Sequence, residues 1–168
     1  MQLLATPQQV IDLAFAANEK ITPVSIKETK IDAAQEKYIR PVLGKLYDAL
    51  LDGKYPELLD NYVRPALAYY VRYSVIPDLA LKLNDKGAQT YFSEYANTAT
   101  DKQRSEMRQQ AKDDANALLD KAIRHISENR ARYPEYEPRK DIRNKVISNG
   151  GITVSYTHLR AHETSAHL

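Results

Sequence analysis

Residues 55–83 constrain the fold more than any other part of the chain. Tyr62, Ala66, Tyr69, Tyr73, Ile76 and Ala80 recur at helical spacing, and Val63, Leu67, Tyr70 and Leu81 flank that stripe. Apolar side chains therefore cover most of a helix's circumference, and a helix apolar nearly all round has to be buried on most of its sides. The rest of the chain must wrap around it. Pro56 suits a first helical turn, where a missing amide costs nothing. Pro65 and Pro77 are a different matter, because a proline within a helix removes a backbone hydrogen bond and crowds the preceding turn. They predict kinks, or a division into separate segments.

The flanking segments supply the wrapping. Thr6, Pro7 and Gln9 read as N-cap, first-turn proline and capping-box partner, ahead of Val10, Leu13, Ala14 and Ala17 at helical spacing. That first helix is expected to end near Asn18, before Thr22-Pro23. A second covers residues 26–39, with Ile31, Ala34 and Tyr38 on one face, and Pro41 is expected to end or kink it. After Gly44 a third helix runs to Asp52-Gly53. Asn84-Asp85-Lys86-Gly87 reads as a turn, and Thr90-Tyr91-Phe92 reads equally as a short strand or a helix start. Thr98 and Thr100 are both N-cap candidates for a last, long helix over residues 101–132. Its narrow stripe is Met107, Ala111, Ala115, Leu118, Ala122 and Ile126, and such a helix packs along one side only. No internal repeat is read.

The expected class is all-α: a compact multi-helix bundle with one long C-terminal helix and an extended C-terminal arm, leaving room for one minor short β element. The expected division is a helical domain over 1–132, an arm with a short basic segment over 133–151, and a tail over 152–168. Tyr133-Pro134-Glu135-Tyr136-Glu137-Pro138 reads as a rigid extended linker, since each proline biases its predecessor away from helix.

Composition narrows the function classes. A length of 168 residues suits one domain with a real core. Zero cysteines exclude disulfides, thiolate metal sites and cysteine nucleophiles. The formal net charge of +2 is too small to make nucleic acid or an anionic membrane a global partner. No apolar run approaches the roughly 20 residues of a spanning helix, and no signal peptide is read at the start. The 12 tyrosines carry nearly all the aromatic mass, which suits half-buried helix faces and subunit interfaces.

No phosphate-binding loop, dinucleotide fingerprint, nucleophile elbow or zinc-binding HExxH is present, and Gly150-Gly151 reads as a plain turn. His158 and His162, beside Glu163 and near His167, would present two imidazoles to one metal ion on a helix. No surrounding core would orient them, so no metal site is expected. His125 reads as a solvated surface histidine. Asp113, Asp114 and Asp120 read as an ion-paired face with Lys112, Lys121 and Arg124, not as a general acid–base pair. No catalytic residue and no cofactor-binding residue is assigned, and no enzyme is expected.

Residues 31–47 carry a more specific pattern. Ala34-Gln35 precedes Tyr38-Ile39, then come Pro41, Leu43-Gly44 and Leu46-Tyr47. This stretch resembles a signature of small phage head–tail connector or head-completion (adaptor) proteins of phages and prophages in Bacteroides-type gut bacteria, and the likeness extends over residues 6–151. Its corner residues are Gln35, Tyr38, Pro41, Gly44 and Tyr47. The resemblance implies a structural subunit of a connector ring, bridging portal and tail as a homo-oligomer in the virion neck and assembled in the bacterial host cytoplasm. Its partners would be copies of itself, the portal protein and tail-side connector proteins. DNA would only pass through, without sequence recognition, and neither a membrane nor a small-molecule substrate is implied. Met107, Leu118, Ile126, Tyr133 and Tyr136 are the expected interface. The alternative is a cytoplasmic helical regulator or nucleic-acid-binding module that uses Arg139, Lys140, Arg143 and Lys145. Finally, residues 155–164 resemble a spurious C-terminus that recurs in reading frames called from assembled sequencing reads, which implies that the native chain diverges near Val154.

Overall fold

Thr6 starts the first helix as its sequence promises. In a computed structural model, which describes residues 2–19, 21–84, 87–90, 101–138, 147–149 and 152–154, helix α1 is Pro7–Ala14. The Thr6 hydroxyl accepts the Gln9 amide, and the Gln9 side chain accepts the Thr6 amide in return. The helix stops at Ala14, short of Asn18. Arg72 explains the stop: its guanidinium donates to the Ala14 carbonyl, pairs with Glu19 at 2.8 Å and lies 4.9 Å from the Phe15 ring centroid.

Pro41 does not end the second helix, which passes it by way of a distorted turn. Helix α2 covers residues 28–43, from Glu28–Ala34 through a π-helical turn, Gln35–Ile39, into Arg40–Leu43. Across the π-turn the Arg40 amide bonds to the Gln35 carbonyl, five residues back. The helix then restarts with Pro41 in its first turn, where a proline has no amide to miss. Helix α3 is Lys45–Leu51. Helix α4, residues 56–80, repeats the device: Pro56–Leu58 enters a π-turn, Leu59–Val63, and Arg64–Ala80 follows with Pro65 in its first turn. Pro77 sits inside the last segment without dividing it.

The two π-turns expose an echo in the sequence. Glu36-Lys37-Tyr38-Ile39-Arg40-Pro41-Val42-Leu43 recurs as Asp60-Asn61-Tyr62-Val63-Arg64-Pro65-Ala66-Leu67. In both copies the acid pairs with the arginine four residues on. An internal repeat, absent from the sequence reading, is thus present over eight residues.

Helix α5 is Asp101–Glu128, and a 3₁₀ turn, Arg130–Arg132, finishes the span expected to be helix. It runs antiparallel along α4, pairing Tyr70 with Asn116 and Tyr62 with His125. Helices α1 and α2 cover other sides of α4, which is the middle of the bundle. Two short antiparallel ladders complete the described residues: β1 (Leu81–Asn84) with β2 (Gly87–Thr90), and β3 (Ile147–Asn149) with β4 (Ile152–Val154). Thr90 closes β2, while Tyr91 and Phe92 lie outside the described residues. The class is all-α, with the helices packed together.

The buried stripe of α4 is rotated from its expected place, whereas that of α5 keeps its four expected alanine and isoleucine positions and differs in its leucine. The buried face of α4 is Val63, Ala66, Leu67, Tyr70, Val71 and Val75, while Tyr62, Tyr69 and Tyr73 lie half-buried at its edge. On α5, Leu119 and not Leu118 joins Ala111, Ala115, Ala122 and Ile126. Leu119→Ala should therefore cost about 2–5 kcal/mol, and Leu118→Ala clearly less. Urea unfolding of the two variants checks the assignment, and equal losses would place both leucines in the core.

Candidate functional surfaces: the helix corner and the docked arm

The five signature residues meet at the corner between α2 and α3, each held by a different force. Gln35 is the one polar side chain buried among the described residues, 1 % exposed. Its carbonyl oxygen accepts the Leu4 amide at 3.0 Å, and its amide donates to the Gln2 carbonyl at 2.8 Å. It therefore treats residues 2–4 as a neighbouring backbone. The Leu4 carbonyl in turn accepts Arg64 Nε at 2.9 Å, so this one residue is gripped from both helices that contain a π-turn. Sequence reasoning named Gln35 but had no signal for its N-terminal partner.

Tyr38 stacks on Tyr70 with centroids 4.3 Å apart and planes 4° from parallel, tying α2 to α4. Gly44 turns the corner at φ +57°, ψ −126°, a conformation that side chains disfavour and glycine accepts. The turn places Tyr47 under the π-turn, fully buried, with its hydroxyl donating to Glu36 at 2.8 Å. Arg40 also donates to Glu36 at 2.8 Å, and its guanidinium lies 5.4 Å from the Tyr47 ring centroid.

The corner's electrostatics suit a joint and not an acid–base centre. Hydrogen bonds from Arg40 and then Tyr47 hold the Glu36 carboxyl below the usual carboxylate range. Burial first, and the Glu36 hydrogen bond second, push the Tyr47 hydroxyl well above the usual phenol range. Among the described residues, no buried side-chain nitrogen or oxygen lacks a hydrogen-bond partner.

The arm does not extend away. Tyr133 and Tyr136 are 1 % and 3 % exposed and belong to the same core as the helices, so the helical body continues past the expected boundary at 132. Tyr55, at a left-handed φ of +57°, donates its hydroxyl to Glu135 at 2.8 Å and meets the Tyr133 ring edge-on at 5.1 Å. Lys54 pairs with Glu135 at 3.6 Å, Lys45 with Glu137 at 3.2 Å, and Arg132 with Glu57 at 2.7 Å. The Tyr55 hydrogen bond, above all, holds the Glu135 carboxyl below its ordinary value.

Three of the expected interface residues, Ile126, Tyr133 and Tyr136, are thus in this chain's own core. Burial decides it, since a side chain packed inside its own molecule offers nothing to a partner. Leu118 is half-buried, and Met107 is 46 % exposed. The open part of α5 is its beginning: residues 101–110 are all exposed except the half-buried Arg104. His125 is not a solvated histidine either. It stacks on Tyr62 at 4.2 Å and lies 3.3 Å from the Tyr133 hydroxyl. Asp113 and Asp114 accept Gln109 and Gln110 at 2.9 and 2.8 Å, so glutamines one turn back replace the expected basic partners. Arg139, Lys140, Arg143, Lys145, Gly150, Gly151, His158, His162, Glu163 and His167 lie outside the described residues. Among the described residues no cluster of three or more His, Asp or Glu could hold a metal ion, and no helix is long and apolar enough to cross a membrane.

The corner predicts a stability profile with two edges. Glu36 titrates lower in the folded chain, so its contribution is complete above the ordinary carboxylate value and is lost as pH falls through the folded one. Tyr47 titrates higher, so its contribution is complete below about pH 10 and fades as pH rises beyond it. Tyr47→Phe should cost about 1–3 kcal/mol at neutral pH and reduce the alkaline loss, leaving the share of Tyr55, which also titrates higher in the folded chain. Urea midpoints across the pH range would reveal it, and an unchanged alkaline slope would remove Tyr47 as its source.

No curated protein matches the chain, and no solved structure does. The model of a family described as "Family of unknown function (DUF6712)" matches residues 18–146, more than half of the 168, and the chain belongs to that family.

Proposed function

We propose that this chain is a structural subunit of a phage head–tail connector ring, a homo-oligomer that bridges portal and tail in the virion neck. The observation that carries the reading is the corner. Residues 31–47, which bear the resemblance to connector proteins, are the residues whose side chains lock α2, α3 and the N-terminal segment into one rigid joint. A ring that passes load from one subunit to the next needs such a joint, because soft subunits would let the ring deform.

The surface fits the same reading. A ring is built from head-to-tail contacts, each joining two different patches of the subunit. Residues 101–107 of α5 offer one patch, a helical stretch with Met107 as its exposed apolar side chain. DNA passes through such a ring without being read.

Size-exclusion chromatography with light scattering, on the chain alone and mixed with portal protein, tests the proposal. A ring-sized mass, or co-elution with the portal, is expected. Met107→Glu should weaken assembly while leaving the thermal midpoint within a few degrees, since the side chain is outside the core. A chain that stays monomeric at high concentration and ignores the portal would overturn the reading.

A further inference from the structure

Most basic residues engaged on the helical body are neutralised by a carboxylate: Lys30 by Asp78, Arg40 by Glu36, Arg64 by Asp60, Arg72 by Glu19. Four are held differently: Lys121 lies 5.6 Å from the Tyr62 ring centroid, and the other three gather at Tyr38 and Tyr73. Arg108 lies 4.4 Å from the Tyr73 ring centroid and Lys112 lies 5.8 Å from the same ring. Lys37 lies 5.2 Å from the ring of Tyr38, which meets Tyr73 edge-on at 6.5 Å. The distinction is chemical. A carboxylate cancels a cation's charge, whereas an aromatic face positions the cation and leaves its charge to act on something else.

We infer that Lys37, Arg108 and Lys112, aligned on Tyr38 and Tyr73, form a site for the phosphodiester backbone of nucleic acid, bound without regard to sequence. The site bridges three helices, with Lys37 on α2, Tyr73 on α4, and Arg108 and Lys112 on α5. Arg108 and Lys112 stand one turn apart, so their side chains share a face. Of the neighbouring acids, Asp78 is taken by Lys30 and Glu36 by Arg40 and Tyr47, while Asp113 and Asp114 remain anionic and are hydrogen-bonded to Gln109 and Gln110 one turn back.

The geometry selects a phosphate chain over other anions. The rings already carry cations or each other, so they leave no slot for a stacked base and no pocket for a peptide side chain. What remains is a cluster of positive charge that includes a guanidinium fork, matched to phosphate oxygens. The site needs only a folded monomer, so it stands or falls separately from the ring.

Fluorescence anisotropy with a labelled mixed-sequence duplex, across a salt series, tests the site. The chain should bind with an affinity that falls as salt rises. The variant K37Q/R108Q/K112Q should bind at least tenfold more weakly at low salt. Its salt slope should be shallower by about 2–3, at about 0.9 per phosphate contact. R108Q alone should remove about a third of that change. The charge-matched variant K27Q/R124Q/R130Q, whose cations touch none of these rings, should stay within about twofold of the parent. Equal losses in both triple variants would reduce the effect to net charge and overturn the site. Competition by polyglutamate as effective as duplex at equal charge would assign it to acidic chains instead. Binding to phosphatidylglycerol vesicles but not to duplex would overturn it equally.

Discussion

A proline inside a helix is the constraint that this structure is arranged around. Pro41 and Pro65 each fall where the bundle needs a continuous helix, and a proline there removes an amide and presses its ring on the carbonyl four residues back. The chain answers by widening one turn ahead of each proline, so that Arg40 and Arg64 reach five residues back to Gln35 and Leu59. Each helix then restarts with its proline in the first turn. Without that widening Pro65 would press on the Asn61 carbonyl at the level of the core, beside the buried face formed by Val63, Ala66 and Leu67.

The π-turns also decide where the polar groups go. An extra residue in a turn offsets the side chains before it from those after it. In α2 that places Gln35 inward, where its amide can serve Gln2 and Leu4 as a backbone would. In α4 it brings Arg64 to the Leu4 carbonyl. Gln35, just ahead of one copy of the echo, and Arg64, within the other, thus close on the same short segment. Tyr38 and Tyr62 occupy equivalent places in the copies, and each stacks on a ring from a later helix, Tyr70 or His125.

The all-α class, the capped start of α1 and the central position of 56–80 were legible because they rest on local chemistry and on periodicity. Rotation about a helix axis was not. Where apolar residues run nearly all round, as in α4, the pattern admits several buried faces, and the tyrosines misled because they are apolar by bulk yet prefer an edge where the hydroxyl stays near water. Leu118 and Leu119 pose the same problem in miniature, since neighbouring leucines leave the phase of the stripe open by one residue. The corner was legible as Pro41 and Gly44. Its holding contacts were not, because Gln35 with Leu4, and Tyr47 with Glu36, join residues whose spacing follows no single-element rule.

The arm marks the limit of local reasoning most clearly. Two prolines within six residues argue for an extended strap, and over residues 133–137 the backbone is indeed not helical. Whether a strap leaves the body or lies on it depends on what waits at the surface. Here Tyr55 waits, in a left-handed conformation that costs a non-glycine residue of order 1–3 kcal/mol. Such a cost persists only if something repays it, and the contacts at hand are the Tyr133 ring against its own and the Glu135 carboxylate on its hydroxyl. The turn between α3 and α4 and the arm are therefore one unit: the turn is tolerable because the arm covers it, and the arm is seated because the turn presents Tyr55. The surface that this unit leaves open lies elsewhere, at the beginning of α5, where residues 101–110 are exposed except for the half-buried Arg104.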